Sequence, residues 1–166
     1  VYEEINEFQN AKDFFLKAIK IEPSHVSSNT NLLFNTCWSV NNHKYLEIAK
    51  KYYNEIPRYY DEEIVNNKSN SKRKIKVGFV SGDFRDHSVV FFLLETLKYL
   101  KKREIELFAY SNNSKEDKFT NLIKQYFHNW NLIAYKTHKE VINLIRKDEV
   151  DILFDLSGHT SNNRLP

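Results

Sequence analysis

The chain has 166 residues, 41% hydrophobic and 28% charged, with three glycines, three prolines, one cysteine and a formal net charge of +3. That is apolar material for one sizeable core or two small ones, which excludes disordered, collagen-like and low-complexity classes. No run approaches the ~20 apolar residues of a membrane-spanning helix, and lone Cys37 cannot close an internal disulfide, so the composition points to a soluble chain in a reducing compartment, the cytoplasm by default.

The first residue is Val1, methionine is absent, and a polar run ends at Pro166, which reads as a fragment of a longer protein. Residues 1–60 carry seven basic and seven acidic groups, residues 61–76 five and three, and residues 77–166 thirteen and twelve. The positive excess is spread, so no basic face is available to follow a nucleic acid over a long footprint. Lys72, Arg73, Lys74 and Lys76 read as a solvated linker rather than an anion grip.

In chain order, Phe8, Ala11, Phe15, Ala18 and Ile19 recur at three and four, one face of a helix that ends at Glu22 because Pro23 cannot continue it. Leu32, Leu33, Thr36 and Cys37 begin a second helical stretch. Tyr45, Ile48, Ala49 and Tyr52 mark a third, closed by Pro57. The spacing Ala11, Phe15, Ala18, Pro23 resembles the second helix of a tetratricopeptide repeat. Carried forward by the 34-residue period it meets Tyr45, Ala49, Tyr52 and Pro57, at best a degenerate second unit. An ordinary helical hairpin is the alternative.

Residues 61–74 hold one Ile-Val pair among polar and charged side chains and read as a linker. Beyond it strands alternate with helices. Residues 75–81 are apolar on both faces, as a strand covered on both sides should be. A helix is expected over 88–100, a strand over 105–111, and an amphipathic helix over 116–130 with Phe119, Leu122, Ile123 and Tyr126 inward. A short strand over 132–134, a helix over 138–147 and a buried strand over 151–156 complete the series. Four β-α units in a row imply an α/β fold with a Rossmann-like parallel sheet, whose ligand crevice lies outside the C-terminal strand ends.

Two polar loops fall there, residues 81–88 and residues 157–164. Gly82 and Gly158 lie in them and Gly78 in the strand feeding the first, where backbone approach or a positive φ is the expected need. His87 opens the helix at 88, where the helix dipole favours a neutral ring able to accept a proton near pH 7. The alternative is that Asp86 or Ser88 caps the helix and His87 sits beside it. His25, His43, His128 and His138 have no partner motif and read as surface residues. Asp83, Asp86, His87, Asp155 and His159 could gather a metal, yet no His-x-x-x-His, Cys-x-x-Cys or EF-hand spacing occurs. Neither G-x-G-x-x-G, a Walker A loop nor a G-x-S-x-G elbow is present.

Residues 74–93 (KIKVGFVSGDFRDHSVVFFL), 105–113 (IELFAYSNN) and 151–166 (DILFDLSGHTSNNRLP) resemble the first half of the catalytic region of the O-linked N-acetylglucosamine transferase family. The segment SNTNLLFNTCWS is similar to the piece joining repeats to catalytic domain in bacterial members. The resemblance implies a tetratricopeptide-like helical segment over 1–60, a linker over 61–74, and the N-terminal lobe of a GT-B glycosyltransferase over 75–166. It implies an inverting, metal-independent enzyme without a cofactor, moving N-acetylglucosamine from UDP-N-acetylglucosamine to protein Ser and Thr hydroxyls.

The family's D-F-x-x-H histidine maps to His87, given a cleft role in acceptor positioning or proton handling. Its G-[HY]-T loop maps to Gly158, His159 and Thr160. Gly82, Asp83 and Arg164 complete the expected substrate-binding set. Bacterial members commonly have glycine where this chain has Asn162, a residue that tolerates the left-handed region. The UDP falls to a second lobe, so this stretch alone is expected to be inactive. The partners implied are protein acceptors, met through the repeat region, and the nucleotide sugar, with no nucleic acid and no membrane. Two rivals remain: an interaction module with a catalytically dead α/β domain, and a metal-dependent α/β hydrolase.

Overall fold

The structure, a computed structural model, describes residues 7–37, 42–55, 73–158, 160 and 162–164. The chain divides into two compact units between Tyr59 and Tyr60. Most of the expected linker, and Pro57, lie outside the described residues.

The first unit is helical: α1 (Phe8–Ile21), α2 (Val26–Cys37) and α3 (Asn42–Glu55). Glu22 is extended, as a residue before proline must be, and its N–H still closes the last turn on the Ala18 carbonyl. Helix α2 begins six residues earlier than its apolar pattern suggests. The reason is His25, whose Nδ1 accepts the Ser28 N–H at 3.3 Å and pairs with the Ser28 hydroxyl at 2.8 Å, so a residue read as an idle surface histidine serves as a cap. Ala11, Leu32, Leu33 and Tyr52 are buried, and Phe15, Ala18, Tyr45 and Ala49 half-buried, so the small-aromatic stripe does face inward.

The second unit contains β1 (Ile75–Ser81), α4 (Ser88–Leu100), β2 (Ile105–Ser111), α5 (Lys118–Lys124), β3 (Asn129–Leu132), α6 (His138–Lys147) and β4 (Ile152–Asp155). All strand pairs are parallel, in the order β3-β2-β1-β4. Side chains alternate across the sheet as the pleat requires. Val77, Phe79, Leu107 and Ala109 pack with Leu93 and Leu97 of α4 and Ile123 of α5. Val80, Phe108 and Tyr110 pack on the other face with Val141 of α6. Helices α4 and α5 therefore lie on one face and α6 on the other, and the winding reverses between β1 and β4. An α/β unit of this kind opens its crevice at that reversal, outside the C-terminal ends of those two strands.

Four expectations need correction. Helix α5 spans seven residues rather than 116–130, because residues from Asn129 pair with β2, and β3 lies three residues earlier than expected. Periodicity read through this boundary because Phe127 and Trp130 continue the helical spacing while packing beneath the sheet. Leu122, expected inward, is 38% exposed on the short helix. Strand β4 is shorter than expected and not buried: Ile152, Leu153 and Phe154 are each nearly half exposed, because β4 is the sheet's edge among the described residues.

Candidate functional site

The β1 loop starts from Ser81, whose hydroxyl accepts the Asp83 N–H at 2.9 Å. This turn places the Asp83 carboxylate inward, where Arg85 meets it at 2.9 Å. Phe84 is fully buried, its ring centroid 5.3 Å from that of Trp130 and 5.9 Å from that of Phe127. A buried aromatic in mid-loop pins the segment to the core, so the residues after it stand in a fixed place.

His87 is itself the N-cap of α4. Its backbone is extended, and its Nδ1 accepts the Val89 N–H at 3.3 Å. A neutral imidazole has one donor and one acceptor nitrogen. With Nδ1 engaged as acceptor, the proton resides on Nε2, which has no hydrogen-bond partner among the described residues. The side chain is 36% exposed. The alternative in which Asp86 or Ser88 caps the helix and His87 sits beside it gives way to a histidine that is itself the cap and leaves its other nitrogen unspent. Asp83 Oδ2 lies 4.0 Å from Nδ1, too far for a hydrogen bond.

The β4 loop closes against this one. Ser157 Oγ accepts the Gly82 N–H at 3.1 Å, joining positions 75 residues apart. Gly158 has φ +54° and donates its N–H to Asp155 at 2.6 Å. Thr160 donates its hydroxyl to the Ser157 carbonyl at 2.7 Å. Asn162 has φ +59°, as its tolerance of the left-handed region predicts, and its carbonyl accepts from the Asn112 side chain at 2.8 Å. Arg164 spends three nitrogens inside the protein, on Asn112 Oδ1 and on the Lys136 and Ile133 carbonyls. It braces the loop against β2 and β3.

The fold thus brings together Gly82, Asp83 and His87 on one loop with Gly158 and Thr160 on the other, while Arg164 stands on the far side of Asn112. His159 lies outside the described residues. Beside the loops a polar groove of about 420 Å³ runs along the ends of β2 and β3, lined by Asn112, Asn113, Tyr135, His138, Asn162 and Arg164 among others. Burial, and then the Arg164 charge, hold His138 below the ordinary histidine pKa. Among the described residues no three His, Cys, Asp or Glu side chains lie close enough to hold a metal ion, and Asp155 is engaged with Gly158 instead.

Sequence reasoning missed Asp117, Thr120, Ser157 and Asn112, which hold the two loops in place. Asp117 and Thr120 form a capping box, a local signal legible in D-x-x-T. Their reach across to the β1 loop is not.

The sequence model of glycosyl transferase family 41 matches residues 40–165. The chain belongs to that family. Among relatives, the probable UDP-N-acetylglucosamine--peptide N-acetylglucosaminyltransferase SPINDLY of Petunia hybrida is 34% identical over 104 residues, covering 60% of this chain and 11% of that protein. The protein of the same description from Oryza sativa subsp. japonica is 31% identical over 123 residues, 72% of this chain and 13% of its own length. A solved mutant of the O-GlcNAc transferase of Thermobaculum terrenum superposes with a TM-score of 0.83 over 95% of this chain and 31% of that one, at 23% identity, a likeness of fold. The chain thus spans about one-tenth of the curated relatives' length.

Proposed function

We propose that this chain is the N-terminal catalytic lobe, with its preceding helices, of an inverting GT-B glycosyltransferase that transfers N-acetylglucosamine from UDP-N-acetylglucosamine to Ser and Thr hydroxyls of proteins. The observation that carries the reading is the junction of the β1 and β4 loops at the winding reversal, with His87 Nε2 left free there. In an inverting transfer the acceptor hydroxyl attacks the sugar carbon as the bond to UDP breaks on the opposite side, and the hydroxyl proton passes to the departing phosphate or to water. His87, with its proton on Nε2, supports this by donating a hydrogen bond to an oxygen of acceptor or donor, which orients that group and stabilises negative charge. Taking the hydroxyl proton would require the lone pair that this tautomer lacks at Nε2. The nucleotide's phosphates fall to a second lobe of the parent protein in this reading.

The helical unit supplies acceptor recruitment in this reading, supported by the inward stripe of Ala11, Phe15 and Ala18. A cytoplasmic setting belongs to the proposal as well. No helix among the described residues is long and apolar enough to cross a membrane, and Cys37 is a free thiol.

The test is to incubate the full-length protein with protein acceptors and a panel of nucleotide sugars, and to read acceptor masses. The expected result is the mass increment of one N-acetylhexosamine per site, from UDP-N-acetylglucosamine. Transfer from a different nucleotide sugar overturns the donor assignment, and no transfer from any of them overturns the enzyme reading in favour of an interaction module.

A further inference from the structure

The β1 loop has an anchor that neither the fold nor the proposed chemistry requires at first sight. Asp117 caps α5 with Oδ1, accepting the N–H groups of Phe119 at 2.9 Å and Thr120 at 2.8 Å. Its second oxygen is turned the other way and accepts the Asp86 N–H at 2.6 Å. Thr120, almost fully buried, donates its hydroxyl to the Phe84 carbonyl at 2.6 Å, with Asp117 Oδ1 at 3.1 Å. Two backbone groups of the β1 loop, one on each side of Arg85, are thus held by one capping box 31 and 36 residues away in sequence. The next residue after the second of them is His87.

We propose that Asp117 and Thr120 are positioning residues for His87: by clamping Phe84 O and Asp86 N–H they set the bend that delivers His87 Nδ1 to the Val89 N–H, and so keep the proton on Nε2. Capping α5 needs only one carboxylate oxygen. The second oxygen is committed to the loop, and a hydrogen bond to a carboxylate is among the stronger ones in a protein. The hydrogen bonds from Thr120 and Asp86 hold the Asp117 carboxyl below the usual carboxylate range, so it is charged and accepting at neutral pH. If the clamp loosens, His87 loses its fixed relation to the first turn of α4. Nδ1 is then free to carry the proton, or to turn toward Asp83 Oδ2.

The proposal deepens the transferase reading only in the use made of His87, and its test requires no sugar transfer. Long-range ¹H–¹⁵N correlation of the imidazole in the 166-residue chain reports which ring nitrogen is protonated, and hydrogen exchange reports the Val89 amide. The unmodified chain should show Nδ1 bare and Nε2 protonated. Asp117→Asn keeps a good N-cap for α5 but presents an amide in place of the oxygen that accepts from Asp86. Thr120→Val keeps the buried volume and the Asp117 cap but removes the hydroxyl. In at least one of these variants the His87 tautomer should become mixed, and Val89 protection should fall about tenfold, while the α5 amides stay protected. Thr120→Ser, which keeps the hydroxyl, should match the unmodified chain. Any other result overturns the proposal: His87 unchanged in both variants, α5 and His87 always lost together, or an unmodified chain without the Nε2 proton. Failure of the full-length protein to transfer sugar would leave this result standing.

Discussion

The backbone of Gly82 lies so close to Asn162 that a β-carbon on Gly82 would stand 2.6 Å from Cβ of Asn162 and 2.8 Å from its carbonyl oxygen. Two loops that a linear reading places at opposite ends of the α/β unit meet there with no room between them. At Gly158 a β-carbon would meet nothing, and the demand is only for a positive φ. The two glycines answer different requirements.

Gly82→Ala should therefore cost about 1–3 kcal/mol, the range for overpacking a tight contact. It should also release the Asn112 side chain from the Asn162 carbonyl. Gly158→Ala should cost about 1 kcal/mol from backbone strain alone and leave that contact in place. Denaturant midpoints give the costs, and the Asn112 side-chain amide signals show which variant parts the loops. Equal loosening by both would refute the distinction.

Asn162 at φ +59° predicts an order of substitutions. Asn162→Gly should hold or slightly raise the melting temperature, since the Asn112 side chain bonds to a backbone carbonyl that glycine retains. Asn162→Val should lower it by an amount corresponding to about 1–2 kcal/mol, because a β-branched residue resists the left-handed region. Thermal unfolding of the pair settles the order.

His87 combines a cap and a donor, and the two are separable. His87→Ala should cost about 1 kcal/mol, the usual value of a helix N-cap. His87→Asn restores a capping oxygen and should recover most of that stability while still lacking the Nε2 donor. In the full-length protein both substitutions should reduce sugar transfer by about 10²–10³, the scale for removing one stabilising donor. Transfer that follows stability, returning with Asn, would show that His87 only caps.

His138 is held below its ordinary pKa, so its charged form is disfavoured in the folded protein. Its contribution to stability is undiminished above about pH 6.5, the unfolded value, and declines as the pH falls below that toward the folded pKa. Arg164→Gln removes the second cause and leaves burial, so the His138 titration midpoint should rise yet remain below the ordinary value. An NMR titration that shows no rise would mean the Arg164 charge does not reach the groove.

Much of the α/β unit was legible from the chain. Strand β1, α4, β2 and α6 fall where they were expected, because apolar runs with β-branched residues, cap residues and 3.6-residue spacing are local signals. Strand β3 was not legible in the same way: NWNL has no β-branched residue, and only pairing with β2 makes it a strand. For β4 the apolar composition indicated what the strand is suited to bury, while its exposure depends on its place at the sheet edge. The candidate site was half legible. Gly82, Asp83, His87, Gly158 and Thr160 stand at the strand ends that the βα alternation demands, but the residues bracing them did not carry a sequence signal for that role.

The sequence alone determined the order of elements, the parallel sheet, and the two loops in which chemistry should be sought, because each depends on side-chain spacing within a few residues. The tertiary structure decided which nitrogen of His87 is spent on the helix and which is free. It also decided that Gly82 is closed over by Asn162 and that Asp117 holds the bend before His87. The last two outcomes depend on a hydrogen bond and a close contact between positions 31 and 80 residues apart, whose distances are set only when β1, β2 and β4 pair and α5 packs beneath the loop, whereas the His87–Val89 bond itself spans two residues. No local period encodes them.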